Sequence, residues 1–467
     1  VSVDRSRLPA IGPDPTIRFP PIEKHEPDGA LKIWTVEHRD VPVLCLSLLL
    51  PAGSAADPAA QHGLAALTAD LMDEGTVTLD SLALHEALAR IGAQFDCDVG
   101  VDATVVTLVT LTRFAREAVA LLADVVNRSR FDPADFDRVR GIRVSRLRQL
   151  SDVPAAVAER LFAHRLYGAH PYGHTSLGDE SALQRLTVDD VRTFHRDVLL
   201  PSAPTLIAVG DLSHAEIVSL VGDAWPSVPA IDGASRTWAA PDWRPVERPQ
   251  SPSRLALAHR PGAAQSELRI GCVAAARSTP DYVVLAVLNT ALGGAFVSRI
   301  NLKLREEKGF TYGARSAFDY RRQPGPFVVQ ASVQTDATAE AVQDVLNEIA
   351  DIAGPRPITP LELTRAHAAL TRGYPRNFET ADQIARAVAQ LALHGLPDDY
   401  FDRFVDGVRQ VTADEVVDAA QRYLPLDVLQ TVIVGDRERV GDSLAGLGLG
   451  EPEPFTPGFE PHVADAV

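Results

Sequence analysis

Long apolar runs are missing from this 467-residue sequence: no window reaches 18 uninterrupted apolar residues, so no membrane-spanning helix is predicted. Cysteine is scarce. Cys45, Cys97 and Cys272 make an odd number with no C-x-x-C spacing, which excludes a disulfide framework and a cysteine zinc site. Each lies in an apolar, strand-like run and reads as core. Positive charge is in deficit, with 45 Lys and Arg against 62 Asp and Glu and a net charge of -17. A nucleic-acid surface needs clustered excess cation, so that class is excluded and the acidic surplus reads as a solubilising surface. The first residue is Val1 in place of Met, as expected if a leader has been removed or omitted. The compartment expected on that basis is the periplasm, with the cytoplasm as the alternative.

What is present begins with size. A chain of 467 residues with 46% hydrophobic residues predicts two or more globular domains. Residues 1–30 carry Pro9, Pro13, Pro15, Pro20, Pro21 and Pro27 and predict an extended arm over the surface. ALKIWTVEH and PVLCLSLLL, separated by a polar turn at Arg39 and Asp40, predict a β-hairpin. Helices are expected over 79–93, 113–128, 133–150 and 154–166, with Pro133 suited to a first turn. FDCDVGVDATVVTLVTLT and PTLIAVGD read as strands. Residues 226–255, rich in proline and holding Trp238 and Trp243, read as a linker whose tryptophans pin it to a surface. The expected division is an N-terminal domain over 31–225 and a C-terminal domain over 256–467.

The second half repeats the first. LTVDDVRTFHRDVLLPSAPTLIAVGD at 186–211 aligns without gaps to VTADEVVDAAQRYLPLDVLQTVIVGD at 411–436, an offset of 225 residues. Shared T-x-D-x-V starts and V-G-D ends argue for duplication of one α+β unit.

Residues 63–76, GLAALTADLMDEGT, resemble the zinc-binding helix of the pitrilysin/insulinase peptidase family, whose frame is G-L-A-H-x-x-E-H with a downstream G-T. The three chemical positions here hold Ala66, Ala69 and Asp70. A catalytic zinc needs three protein ligands and an open water position, and alanine offers no lone pair. Ala69 stands where the family's general base would be. The family's third ligand lies in a segment similar to SRLRQLSDVP, where its position falls on Arg146, a permanent cation. Asp70 and Arg146, or close neighbours, are expected to form an ion pair in the space the metal left.

NTALGGAFVSRINLKLREEKGFTYGARS, residues 289–316, resembles the same family's L-G-G-x-x-x-S-R-L-x-x-x-L-R-E-x-x-G-L-x-Y segment. That resemblance implies that Arg305 and Tyr312 are the arginine/tyrosine pair that hydrogen-bonds the substrate backbone near the scissile bond. LKLREEK is helical, Gly309 can end the helix in the left-handed conformation, and FTYGARS can begin a strand, so both side chains can point to one side. A guanidinium and a phenol are good donors to a carbonyl or a developing oxyanion. Gly293 and Gly294 lack the Gly-Lys-Ser/Thr of a phosphate loop and read as a tight backbone turn. HPYGH at 170–174 is similar to a family segment in an ordered loop near the shell's interior. Pro171 and Gly173 oppose a helix there, and no carboxylate is spaced to complete a metal site.

The resemblance implies two homologous α+β domains, antiparallel-rich sheets with helices, joined by a linker as a clam shell. It also implies the non-catalytic subunit of a two-subunit zinc peptidase of the mitochondrial-processing-peptidase type. This chain would hold no cofactor. A homologous H-x-x-E-H partner, in a heterodimer or a pair of heterodimers, would carry zinc, and an extended peptide would be the substrate. Two alternatives remain at this level: an assembly subunit of the same fold without peptidase role, and a peptide-binding homodimer or chaperone.

Overall fold

The structure, a computed structural model, describes residues 18–27, 31–225, 246 and 253–455. The linker tryptophans Trp238 and Trp243, and residues 1–17 of the arm, lie outside them. The first sheet is built from β1 (Glu23–His25), β2 (Lys32–Glu37), β3 (Val43–Leu50), β4 (Gln94–Val99), β5 (Thr104–Leu111) and β6 (Thr205–Gly210). Its order is β1-β2-β6-β3-β5-β4. The second contains β7 (Leu255–His259), β8 (Gln265–Val273), β9 (Ala314–Phe318), β10 (Pro326–Gln334), β11 (Gln430–Gly435) and β12 (Glu453–Phe455), ordered β12-β7-β11-β8-β10-β9. Apart from the edge strands β1 and β12, the two orders are the same path drawn twice.

The repeat seen at 186–211 and 411–436 has a structural counterpart. Helix Val188–Phe194 leads to β6 and helix Ala413–Tyr423 to β11, and each strand takes the same place in its sheet. Thr187 with Asp190, and Thr412 with Glu415, close matching capping boxes that satisfy the first free N–H groups of each helix.

The predicted hairpin is corrected. β2 and β3 do not pair with each other; β6 lies between them, parallel to β2 and antiparallel to β3. All six residues of TLIAVG in β6 are buried. A strand apolar on both faces gains most at a sheet's centre, and that gain overrides the short connection between β2 and β3. Leu255, placed in the linker from sequence, opens β7. The end of the arm contributes β1, and Phe19 packs against Phe378 and Phe401.

One face of each sheet is covered by its own helices. The other is covered by a helix from the opposite half. Ala381–His394 lays Ile384, Val388 and Leu391 on Trp34, Cys45 and Val209 of the first sheet. Pro154–Tyr167 lays Val157, Ala158 and Leu161 on Ala256, Val432 and Val434 of the second. The two units are therefore tied by exchanged helices as well as by the chain between them. Helix Tyr282–Glu307 is long and apolar enough to cross a membrane by length and composition, but half of its apolar window is buried against the second core.

HPYGH ties the two units together. Tyr172 is fully buried and its hydroxyl donates to Asp102 Oδ1 at 2.6 Å, while Asp102 Oδ2 accepts from the Arg322 backbone N–H at 2.7 Å. The His170 ring accepts from the Tyr172 backbone N–H, which closes the loop on itself.

Arg299, inside the 289–316 segment, is an internal strut. Its side chain is 3% exposed and donates to both Glu362 carboxylate oxygens, at 2.7 and 2.8 Å, and to the Arg356 and Pro357 carbonyls. Burial opposes ionisation of Glu362, but hydrogen bonds from Arg299 and Thr359 outweigh it and hold the carboxyl down to about 2. A folded pKa below the unfolded one stabilises above the unfolded value of 4.5 and loses that contribution as pH falls toward 2. On the order of 3 kcal/mol should disappear across that window. Urea unfolding near neutral pH and in acid would read it, and Glu362→Gln should flatten the dependence.

Candidate functional site

Two places test the sequence reading, and the first is helix Leu64–Met72. Asp57, fully buried, accepts from the backbone N–H groups of Gly63 and Ala65, both at 2.7 Å, and so fixes the helix entrance. His174 also bonds Asp57, at 3.2 Å, and its ring stacks on His62 with centroids 3.9 Å apart. Hydrogen bonding to Asp179 holds the His62 imidazole above its ordinary value. Thus the second histidine of HPYGH braces a helix end.

Farther along, Ala66 and Ala69 are 4% and 1% exposed, and Ala69 packs into the first core. Asp70 points outward and pairs with Arg143, Nη1 to Oδ2 at 2.5 Å. Arg143 also donates to the Ser176 carbonyl at 2.7 Å. The expected ion pair forms through a close neighbour of Arg146: the cation comes from one turn earlier on helix Pro133–Ser151. On that helix Leu147 is buried and Arg143 is only 11% exposed, so these share the inward face and leave Arg146 exposed. Cys97, on β4 nearby, is pushed well above the ordinary thiol value, first by burial and then by Asp73 and Asp70.

These residues do not fit zinc. The ligand position at Ala66 has no donor atom, the one at Arg146 holds a permanent cation, and the Arg143 guanidinium occupies the carboxylate of Asp70. Among the described residues no group of three or more His, Cys, Asp and Glu is arranged to hold a metal ion. Added Zn²⁺ should leave the melting temperature unchanged. The triple variant Ala66→His/Ala69→Glu/Asp70→His should still bind no zinc in calorimetry while Arg143 and Arg146 stand.

The second place is the cleft at the end of the helical run Tyr282–Glu307, which is broken at 295–298. Gly309, at φ 66°, ends that helix in the left-handed region, and the Phe310 N–H bonds back to the Leu304 carbonyl at 2.8 Å. Arg305 lies in the π-helical turn Leu302–Glu307, and Tyr312 just before β9. Both line one cleft of about 460 Å³, together with Phe296, Asn301 and Gln330. Tyr312 is 93% exposed. Arg305 stacks on the Phe296 ring with its guanidinium carbon 4.4 Å from the centroid, and Glu306 lies 3.5 Å from its Nε. The stack fixes the plane of the guanidinium and leaves the donors on its outer edge accessible.

Sequence reasoning missed the two residues that organise this cleft. Asn301 donates to the Phe296 carbonyl at 2.7 Å and accepts from the Ala314 N–H at 2.9 Å, so one amide holds both the Phe296 loop and the start of β9. Phe296 itself, 63% exposed, is the platform for Arg305. The glycine pair has a sharper reason than a turn. A Cβ on Gly293 would sit 2.4 Å from Ser316 Oγ, so glycine there lets the helix press against β9.

The fold is two interlocked six-stranded α+β units, the first with Ala66, Ala69 and Asp70 on helix Leu64–Met72 and the second with the Arg305–Tyr312 cleft. Residues 34–180 match the family described as Insulinase (Peptidase family M16), and residues 185–370 match the Peptidase M16 inactive domain. The chain belongs to this pitrilysin-like family. It is 24% identical over 396 residues to an uncharacterized zinc protease of Mycobacterium leprae, covering 85% of this chain and 88% of that one. It is 20% identical to a non-peptidase homolog from Helicobacter pylori, covering 86% and 91% of the two chains. Among solved structures, a peptidase M16 inactive domain from Pseudomonas fluorescens superposes with a TM-score of 0.78 at 25% identity, over 89% of this chain and 98% of that one.

Proposed function

We propose that this chain is the non-catalytic subunit of a heteromeric zinc metallopeptidase. In this reading Arg305 and Tyr312 complete the active site of a homologous H-x-x-E-H partner by hydrogen-bonding the backbone of an extended peptide. The observation that carries the proposal is an asymmetry. The metal helix is packed shut with Ala66, Ala69 and an Asp70–Arg143 ion pair, while Tyr312 stands 93% exposed beside an Arg305 oriented by Phe296. An exposed phenol next to an open guanidinium contributes little to folding, so its use lies in what it contacts. Match to an inactive-domain family and similarity to a non-peptidase homolog support the non-catalytic role. The partner would supply zinc and the general base, and the periplasm is the proposed compartment.

The test is hydrolysis of a quenched fluorescent peptide library by this chain alone, by an H-x-x-E-H partner alone, and by the two mixed. Activity appearing or rising steeply only in the mixture is the expected result. Partner activity unchanged by this chain would refute the proposal and favour an assembly role.

A further inference from the structure

Between the two units lies a cavity of about 1030 Å³ that shares no lining residue with the Arg305–Tyr312 cleft. One wall is the face of the first sheet covered by the exchanged helix Ala381–His394, opposite the face that carries helix Leu64–Met72. The other is aromatic: Tyr282, Tyr374, Phe378, Tyr400 and Phe404. In that aromatic wall sits Arg277, only 6% exposed. Its guanidinium carbon lies 3.7 Å from the Tyr282 ring centroid and 4.7 Å from that of Tyr400. Its backbone is pinned, N–H to the Arg321 carbonyl at 2.8 Å.

Arg277 has no carboxylate partner among the described residues. Neighbouring carboxylates are already engaged. Asp281 binds Arg422 and Tyr423, at 2.6 and 2.7 Å. Asp382 pairs with Arg386 at 2.9 Å, and Asp319 with Arg321 at 2.7 Å. Asp102 accepts from Tyr172 and the Arg322 N–H. Burial first, then the fields of Arg277 and Arg322, push His394 down to about 4. Asp96 and Asp98 of the edge strand β4, both exposed, and Asp382 also line the cavity.

A permanently charged guanidinium withdrawn from water without a counter-charge is costly, and two aromatic faces offset that cost only in part. A cation left in this state beside a large cavity calls for an anion from outside the chain. The planar fork of arginine matches a carboxylate in two-point contact, and the aromatic wall suits an apolar group next to it. We infer that this cavity is a carboxylate-binding site in which Arg277 holds the anion and the tyrosine and phenylalanine wall takes an adjoining apolar group. Two sources share that chemistry: the free C-terminus of a peptide, and a small aromatic or aliphatic carboxylic acid.

Calorimetric titration of the full chain with four probes tests this: a pentapeptide ending in phenylalanine, the same peptide amidated, N-acetylphenylalanine, and its amide. The acid form of at least one pair should bind at least about tenfold more tightly than its amide, as loss of a charge-assisted contact predicts. A difference for the pentapeptide alone assigns a peptide C-terminus; a difference for both pairs assigns the carboxylate in general. Arg277→Gln should abolish the difference and leave the melting temperature without probe unchanged or raised, because it removes an uncompensated buried charge. Arg277→Lys should retain part of it. Equal binding of acid and amide by the wild-type chain, or no binding of either, would overturn the inference. So would a difference that survives in Arg277→Gln.

Discussion

In a mixture of this chain with an H-x-x-E-H partner, Arg305→Ala and Tyr312→Phe should each lower kcat/KM for peptide hydrolysis by roughly 10²- to 10³-fold, the usual loss when one donor to a developing oxyanion is removed. The structure makes this a clean test. Tyr312 is 93% exposed and Arg305 caps no buried carboxylate, so neither change should move the urea midpoint. A fall in activity at constant stability would separate a contact with substrate from a packing role. Phe296→Ala tests the geometry: it removes the ring 4.4 Å from the Arg305 guanidinium but leaves the charge, and a smaller fall is expected. If kcat stays constant and only KM rises, these residues bind the ground state and transition state equally.

The second large effect concerns the exchanged helices. Arg165→Ala should cost on the order of 3 kcal/mol in urea unfolding, the upper end for hydrogen bonds to a charged group. Arg165 is 7% exposed at its side chain, sits on the helix that the first half lends to the second sheet, and donates from Nε to Gln430 Oε1 at 3.0 Å. Its other nitrogens reach Glu453 on β12 and the Ser253 carbonyl. Losing the guanidinium removes all three contacts at the junction between the units. Because each sheet is covered by the other half's helix, unfolding should remain a single transition in the variant. Two separated transitions would show that the halves stand independently.

Much of this was legible from sequence, and the reasons are local. Gly309 was readable as a left-handed helix end because a glycine follows a helical run, and Pro133 and Thr187 mark helix starts by their own chemistry. The duplication was readable because the two copies of one helix and strand keep their register without gaps. Non-local choices were not. The pairing of β2 with β6 joins residues far apart in sequence, and nothing in KIWTVE says that TLIAVG will separate it from VLCLSLLL. The exchange of helices Pro154–Tyr167 and Ala381–His394 leaves no mark in their periodicity, since an apolar stripe does not name the sheet it covers. Spacing led to Arg146 for the lost ligand position, whereas the face of the helix selected Arg143. At the cleft, Arg305 and Tyr312 were found through a family pattern, but Phe296 and Asn301 act through contacts that no spacing encodes.

The central claim is that Tyr312 touches a peptide held in another subunit's active site. Photo-crosslinking tests it most directly. Tyr312 is replaced with benzoylphenylalanine, and the chain is mixed with an H-x-x-E-H partner whose catalytic glutamate is changed to glutamine and with a biotinylated peptide substrate. Irradiation should join this chain to the peptide within a residue or two of the scissile bond, and only when the partner is present. No adduct, or an adduct that forms equally well without the partner, would contradict the account.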